Sequence, residues 1–392
     1  MINYDWIVIG AGITGSALSY ELAKKGFRVL LLEKEDRPHN ATYYSYGGLA
    51  YWSGTTQLTR QLAQKGIDIH RHLSEELEAD TEFRDLDLVL TIDANDDPKT
   101  VAANYSQFAI VPELLSVSEA VELEPLLNPY AISGVLKLPH GHINADKTSQ
   151  AYQQAFCRLG GEIKIEPVLK LLRQGNRIEG VATPQQNYFA ANTVVCAGGL
   201  SRALLKEAGI NVRLYFTHAQ LIKTPPVDFC LRSLVMPAVQ KRSFLESQAT
   251  QSEMESQWEQ QSQTLAGRIL DPGAIQFCDR SLYFGQISEI YPNPQPAIDP
   301  ETSEAQIRQG VGTILPLLQN LSGTWHSCLV AFAKNSLPMV GAIDAFSGVH
   351  LFSGFTSTLV FAPPLARHFA SWVAGEADKI MPQLNNINST QQ

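Results

Sequence analysis

Apolar positions along this chain fall into two patterns: short unbroken runs that stop at glycine, and longer stretches that repeat at helical spacing. Trp6-Ile7-Val8-Ile9 is too short for a helix and halts at Gly10, which predicts a buried parallel strand. From Thr14 to Lys25 the residues Ala17, Leu18, Leu22 and Ala23 recur at helical spacing, and Gly26 is placed to end the helix. Val29-Leu30-Leu31-Leu32 predicts a second buried strand with Glu33 at its tip. After the glycine- and tyrosine-rich stretch 43–48, Leu58, Leu62, Ile69, Leu73 and Leu77 predict a long helix over 57–79, interrupted at Gly66.

Between 86 and 145 the elements become shorter and mixed, so the chain is expected to leave its first domain there. A helix is predicted over Ala151 to Leu159, then strands near 162–172, 177–182 and 192–196. Residues 246–264 are rich in Gln, Ser and Glu, with Met254 and Trp258 as their bulky apolar members. Such a composition builds no core of its own, and it reads as a solvated helix or surface insertion rather than a site. Strands resume at 274–286, 326–333, Leu337 to Ile343 and Val349 to Phe352, leading into a helix from Leu359 to Ala374. The tail beyond Met381 is expected to fray.

Composition narrows the function classes. The 392 residues, 44% of them hydrophobic, suffice for two domains. A formal charge of -9 and the lack of any Lys/Arg run argue against a nucleic-acid partner. The five cysteines, Cys157, Cys196, Cys230, Cys278 and Cys328, are scattered without a CxxC pair, a reduced pattern with no metal site. No signal peptide is apparent ahead of Gly10, and no run approaches the ~18 apolar residues of a membrane span. A cytoplasmic protein acting on a small molecule is expected, with no integral membrane segment; peripheral membrane contact stays open.

The chemistry begins at Gly10-Ala11-Gly12-Ile13-Thr14-Gly15. In such a fingerprint the first glycine permits the tight turn, the second admits a pyrophosphate and the third lets helix and strand pack closely. The helix N-terminus then presents its positive dipole end to phosphate. Glu33 is suited to accept hydrogen bonds from an unphosphorylated adenosine ribose. The fingerprint alone does not choose between FAD and NAD.

Ala197-Gly198-Gly199, Leu337-Pro338-Met339-Val340-Gly341 and Gly354-Phe355-Thr356-Ser357, taken with the fingerprint, resemble the D-amino-acid oxidase, glycine oxidase and sarcosine oxidase family of flavoproteins. The resemblance implies an α/β fold, α+β overall: a Rossmann-like FAD-binding domain and a second, mainly antiparallel substrate domain. The FAD domain would be discontinuous, 1–80, 145–215 and 325–380, with 81–144 and 216–324 as the substrate domain and 381–392 as a flexible tail. It further implies FAD as cofactor. Gly10, Gly12, Ile13, Thr14 and Gly15 would hold its pyrophosphate, and Glu33 with Lys34 its ribose. Thr42, Gly47, Gly48 and Leu49 would line the ribityl and isoalloxazine path, and Val168, in Glu166-Pro167-Val168, would touch the adenine. Ala197 and Gly198 would pass close by. Gly354, Phe355, Thr356, Ser357 and Leu359 would bring backbone N–H groups to the flavin pyrimidine edge, where reduced flavin carries negative charge.

The sequence also departs from that family. Amino-acid-oxidising members carry an Arg shortly before the "LP-x-x-G" strand, where this chain reads Cys328-Leu329-Val330-Ala331-Phe332-Ala333. Sarcosine oxidase has a Lys in the closing loop, where this chain has Val360-Phe361. Arg60, His218, Lys241 and Arg242 are candidate replacements, and Tyr283 is a further pocket candidate. His140 and His142 read as loop histidines without a third metal ligand. Cys328 matches the cysteine that tethers flavin in sarcosine oxidase; the commoner fate of a lone Cys is burial. The implied activity is FAD-dependent oxidation of a C–N bond of a small amine or amino acid by hydride transfer to flavin N5. A hydroxy-acid or polyol dehydrogenase and a non-catalytic flavin-binding protein stay open as alternatives.

Overall fold

A computed structural model describes residues 4–37, 39–239, 241–260, 265–334, 337–384 and 387. The chain opens with β1 (Tyr4–Ile9), α1 (Ile13–Lys24) and β2 (Val29–Glu33). Trp6, Val8 and Leu31 feed one core and Ile7, Ile9, Leu30 and Leu32 another. Both sheet faces are therefore covered, which is why these strands read as unbroken apolar runs. After β3 (Gly48–Leu49) comes α2 (Gln57–Glu76), started by a capping box between Thr56 and Thr59. The expected break at Gly66 is absent. A Cβ there would lie 1.9 Å from the Val360 carbonyl oxygen, so the glycine marks a close helix approach rather than a kink.

The next elements are β4 (Arg84–Asp93), α3 (Pro98–Ala103), β5 (Glu113–Leu115), α4 (Val117–Leu123), β6 (Ile132–His142) and α5 (Ala145–Arg158). Helix α5 starts earlier than its apolar period suggests because Asn144 caps it, accepting from the Lys147 N–H. The strand expected over 162–172 is two, β7 (Glu162–Ile165) and β8 (Lys170–Gln174), parted at Pro167, which has no N–H for a ladder. Then follow β9 (Arg177–Ala182), β10 (Asn187–Val195), α6 (Ser201–Glu207), β11 (Leu214–Lys223), β12 (Leu234–Pro237), α7 (Lys241–Ala249), β13 (Ala266–Gln276) and β14 (Leu282–Ile290). The described chain closes with α8 (Pro300–Ile314), β15 (Thr324–Ala333), β16 (Met339–Ala342), β17 (Val349–Ser353), α9 (Thr358–Val373) and α10 (Met381–Leu384).

These strands form two sheets. In the first, ordered β16-β17-β10-β1-β2-β7, the four pairs from β17 to β7 are parallel; β16 is antiparallel, and a β8–β9 hairpin continues from β10. Helix α1 packs on its surface beside α5 and α9. The second, ordered β15-β11-β14-β13-β12-β4-β6-β3, is antiparallel except where β12 meets β4. Strand β15 pairs with β11 along its whole length, from Leu214↔Ala333 to Lys223↔Thr324. Residues 325–333, expected with the FAD-binding domain, thus pair into the second sheet.

Two further expectations change. The polar segment lies on the surface but is docked rather than wholly solvated, because its Ala249 and Trp258 are buried in a cluster with Leu245, Tyr215, Phe216 and Phe332. Its Glu255 and Glu259 pair with Arg202 at 2.8 and 3.0 Å, while Glu259 also pairs with Lys206. Residues 261–264 lie outside the described residues. The tail is packed where it is described: Met381 and Leu384 are buried, and Ile387 bridges to Ile343. Among the described residues no helix is long and apolar enough to cross a membrane.

Candidate functional site

A cleft of about 590 Å³ lies between the two sheets. Its lining begins at the C-terminal ends of the parallel strands, where a doubly wound sheet leaves a crevice. Gly10 has φ +98° and a Cβ there would stand 2.8 Å from the Cys196 carbonyl oxygen; β1 and β10 could not stay so close with a side chain in place. Gly12 caps α1 with no side-chain acceptor of its own, and the Ile13 N–H reaches across to Thr42 Oγ1 at 3.0 Å. Helix α1 has no acidic residue in its first turn. Its open N–H groups and dipole favour an anion. The fingerprint loop is fixed from behind, since the Ala11 carbonyl accepts from Ser16, Ser149 and Gln153 at 2.9, 3.1 and 3.0 Å.

Glu33 lies buried on the cleft wall. Its carboxylate accepts from the Ala11 N–H at 2.7 Å and the Lys34 N–H at 2.8 Å, which holds it rigid with lone pairs to spare. Beside it the turn at Pro167-Val168 is braced by Glu166, which accepts from the hydroxyls of Thr183 at 2.7 Å and Tyr188 at 2.8 Å. Elsewhere in the cleft, Gly354 has φ +75° and a Cβ would press on Leu214 and Ala333. The 16-residue α9 starts there, again without a side-chain cap. Two helix starts whose own N-cap residues supply no side-chain cap, and a buried carboxylate, thus open onto one space. Such a donor set fits a dinucleotide, whose pyrophosphate needs N–H donors and whose ribose needs an acceptor.

The cleft gathers Gly10, Gly12, Ile13, Thr14, Glu33, Lys34, Thr42, Val168, Ala197, Gly198, Gly354, Phe355, Cys328 and His218 among the residues singled out from sequence. Others stand behind it. Gly15 packs against the turn, where a Cβ would lie 1.8 Å from the Gly10 carbonyl oxygen. Gly47 and Gly48 make room for the Ile143 carbonyl and the His140 ring, and Leu49 is core. The Leu359 carbonyl meets His70 at 2.7 Å. Thr356 and Ser357 share the Gly354–Thr358 turn without lining the cleft.

The substrate-side candidates separate as clearly. Arg60 is fastened to the carbonyls of Gly54 (3.2 Å) and Gln107 (2.9 Å), away from the cleft, which makes it a loop clamp. The Tyr283 hydroxyl donates to the Tyr43 carbonyl at 3.3 Å, and burial raises its pKa. The His218 ring meets the Asn293 carbonyl at 3.1 Å, and burial lowers its pKa, so it is neutral near pH 7. The Lys241 side chain is exposed. His140 and His142 lie on β6 rather than in a loop. They accept from Trp52 Nε1 at 3.1 Å and Arg84 Nε at 3.3 Å, and burial pushes both down to about 3. Among the described residues no group of His, Cys, Asp and Glu is arranged to hold a metal.

Sequence reasoning missed the opposite wall. Trp325, Ser327, Leu329 and Ala331 line the cleft together with Cys328 because β15 is the outer strand of its sheet and runs along the space. It also missed Asn40, whose side chain accepts from the Thr42 and Tyr43 N–H groups at 3.0 Å and shapes the turn that delivers Thr42. An Asn two residues before a Thr is a readable turn signal.

Comparison with known proteins agrees with this architecture. A family model described as FAD dependent oxidoreductase matches residues 5–372. The chain is 25% identical to 4-methylaminobutanoate oxidase (formaldehyde-forming) of Paenarthrobacter nicotinovorans, over 94% of this chain and 43% of that one. It is 31% identical to the peroxisomal sarcosine oxidase of Mus musculus over 54% of each. It thus spans about half the length of these curated relatives. The fold matches glycine oxidase from Geobacillus kaustophilus with a TM-score of 0.80 at 16% identity, covering 99% of each chain. With a family match over nearly its whole length and a cleft whose donors suit a dinucleotide, the chain belongs to the FAD dependent oxidoreductase family.

Proposed function

We propose that this protein oxidises a C–N bond of a small amine or amino acid. Bound FAD would supply the acceptor at flavin N5 for the hydride equivalent leaving the carbon next to nitrogen. The single observation that supports the reading best is the meeting in one cleft of the starts of α1 and α9, neither capped by the side chain of its own N-cap residue. The first suits a pyrophosphate and the second suits the negative charge that reduced flavin gathers at its pyrimidine edge.

The chain's own residues would divide the work. Gly10, Gly12, Ile13, Thr14 and Thr42 would receive the pyrophosphate, Glu33 the ribose hydroxyls, and Val168 the adenine. His218 near pH 7 is neutral. Burial pushes the Cys328 thiol up to about 12, so it is protonated near pH 7. In this reading FAD is held without a covalent bond, the commoner state of a lone buried Cys being structural. The wall of apolar side chains excludes water while the substrate loses hydride and a proton; the resulting imine then hydrolyses to a carbonyl compound and an amine.

Anaerobic mixing of the FAD-loaded protein with a substrate panel tests this. An amino acid or secondary amine is expected to bleach the flavin spectrum. Bleaching only by hydroxy acids or polyols would overturn the reading.

A further inference from the structure

We propose that the cleft carries a second binding lobe, on the α8 face of the second sheet, which takes a neutral ring bearing an amide edge, an N–H beside a carbonyl. The lobe does not depend on the amine chemistry proposed above. Strand register defines it. His218 and Gln220 stand two apart on β11 and so point to one face. On β15, Leu329 is opposite His218, Ser327 opposite Gln220 and Trp325 opposite Ile222; on β14, Glu289 is opposite His218. Residues opposite one another in an antiparallel pair share a face, so all of these lie on one side of the sheet with Gln220 at the centre. Further along that side Ile307 and Val311 of α8 pack with Ile222, Phe284 and Ile287. Around Gln220 the face opens to the cleft instead, which His218, Ser327 and Trp325 line together with Pro294, Pro296 and Ile298.

Unused hydrogen-bonding groups converge there. Gln220 is 0% exposed, and neither its Nε2 nor its Oε1 has a partner among the described residues. Trp325 Nε1 and Glu289 Oε2 are buried and unpartnered as well. Buried polar atoms seldom stay unpaired, and an amide that leaves both a donor and an acceptor unused is the most costly case. Three such side chains at adjoining positions of one face, beside a cavity, call for an occupant. What they leave over sets its chemistry. The Trp325 N–H only donates, the Glu289 oxygen only accepts and Gln220 does both, so the occupant carries a donor and an acceptor side by side. It is also neutral. The other Glu289 oxygen is paired with Arg268, and burial lowers the pKa of His218, which is uncharged near pH 7. Leu200 and Leu204 add to the apolar lining of the cleft, which suits a ring.

The loop that joins β14 to α8 is fixed before any ligand arrives. The His218 ring meets the Asn293 carbonyl at 3.1 Å. Asn293 in turn donates to the Gln295 carbonyl at 3.1 Å and accepts from the Gln295 N–H at 2.9 Å, and the Ile298 N–H donates to the Pro296 carbonyl at 3.0 Å. Pro292, Pro294 and Pro296 fix their own φ angles. At the far end Asp299 caps α8, accepting from the Glu301 N–H at 3.1 Å. Arg268 ties that helix to the sheet, donating to Gln306 at 2.9 Å and Ser303 at 3.1 Å as well as to Glu289. Binding therefore has little backbone to order.

Benzamide, a neutral ring with one carboxamide and no C–H next to nitrogen to oxidise, is the probe. A ligand-observed NMR titration of the FAD-loaded protein should give a Kd of about 1 mM or tighter, with the flavin left in place. Toluene, which has the ring without the amide edge, should bind at least about 10-fold more weakly. Gln220→Leu keeps most of the volume and should weaken benzamide by at least about 10-fold, while Trp325→Phe, which loses only the N–H, should weaken it by about 5-fold. Gln220→Leu should also raise the Tm of the FAD-loaded protein without benzamide, because two unpaired buried atoms are gone. Where that variant does not fold, Trp325→Phe decides. No binding of benzamide by the wild type, equal binding of toluene, release of FAD by benzamide, or an unaltered affinity in Trp325→Phe overturns the lobe. A lower Tm in Gln220→Leu with unchanged benzamide affinity overturns it too, since Gln220 then serves the core alone. None of these readouts involves turnover, so failure of the C–N reading is a separate result: no amino acid or amine bleaches the flavin, whatever benzamide does.

Discussion

The two ends of the cleft are built from different materials. At the fingerprint end the backbone does most of the work: N–H groups at an open helix start, glycines at contacts that admit no Cβ, and one buried carboxylate held by backbone donors. At the β15 end side chains brought from separate strands define the surface. Backbone recognition tolerates few substitutions because it depends on chain path. Side-chain recognition can be rewritten residue by residue while the fold stays as it is.

The contrast predicts where substitutions hurt most. The largest effect is expected at Gly15→Val. A Cβ there would collide with the Gly10 carbonyl at 1.8 Å, with backbone that cannot move aside. Soluble protein with bound flavin should fall to background, a destabilisation of about 4 kcal/mol or more. Normal flavin content in that variant would break the claim that backbone geometry governs this end.

Acid should act next. Burial pushes His140 and His142 down to about 3 and His70 and His350 to about 4, against an ordinary value of 6.5. As pH falls below 6.5 the unfolded chain takes up protons that the folded chain refuses, so stability is present at pH 7 and is lost towards pH 4. At pH 5.5 each such histidine costs about 1.4 kcal/mol. Thermal melts should show a lower Tm at pH 5.5 than at pH 7.5, with a smaller drop in His350→Gln. A Tm independent of pH over that range would contradict the burial of these rings.

A moderate effect is expected at Glu33→Gln. The amide keeps the shape but loses the charge that accepts from Ala11 and Lys34. FAD affinity should weaken by about 10- to 100-fold in a fluorescence titration, with substrate discrimination untouched. The smallest effect belongs to Arg60→Ala. Removing a clamp on the Gly54 and Gln107 carbonyls should cost about 1 kcal/mol in a denaturant melt and leave FAD binding and turnover as they were. A large loss of turnover would move Arg60 back among the substrate residues.

Sequence legibility follows the same divide. The first sheet could be read because each of its signals is local: an apolar run, a glycine, a helical period. Most cofactor candidates from Gly10 to Thr42 accordingly meet in the cleft. The second sheet resisted because pairing is decided over long range. Nothing within 325–333 says that its partner is β11. His140 and His142 looked like loop residues because Pro139 lies beside them, yet all three sit in β6. The polar segment misled through composition, since two buried apolar residues, Ala249 and Trp258, suffice to dock it.

The absorbance spectrum of the purified protein, recorded before and after acid precipitation and repeated after reconstitution with FAD, tests the central claim most directly. The account predicts flavin bands at one FAD per chain, colour released to the supernatant by acid, and neither in Gly15→Val. Protein that remains colourless after reconstitution would contradict the cleft as a flavin site. Colour that stays with the wild-type pellet but not with Cys328→Ser would replace the non-covalent cofactor with a tethered one.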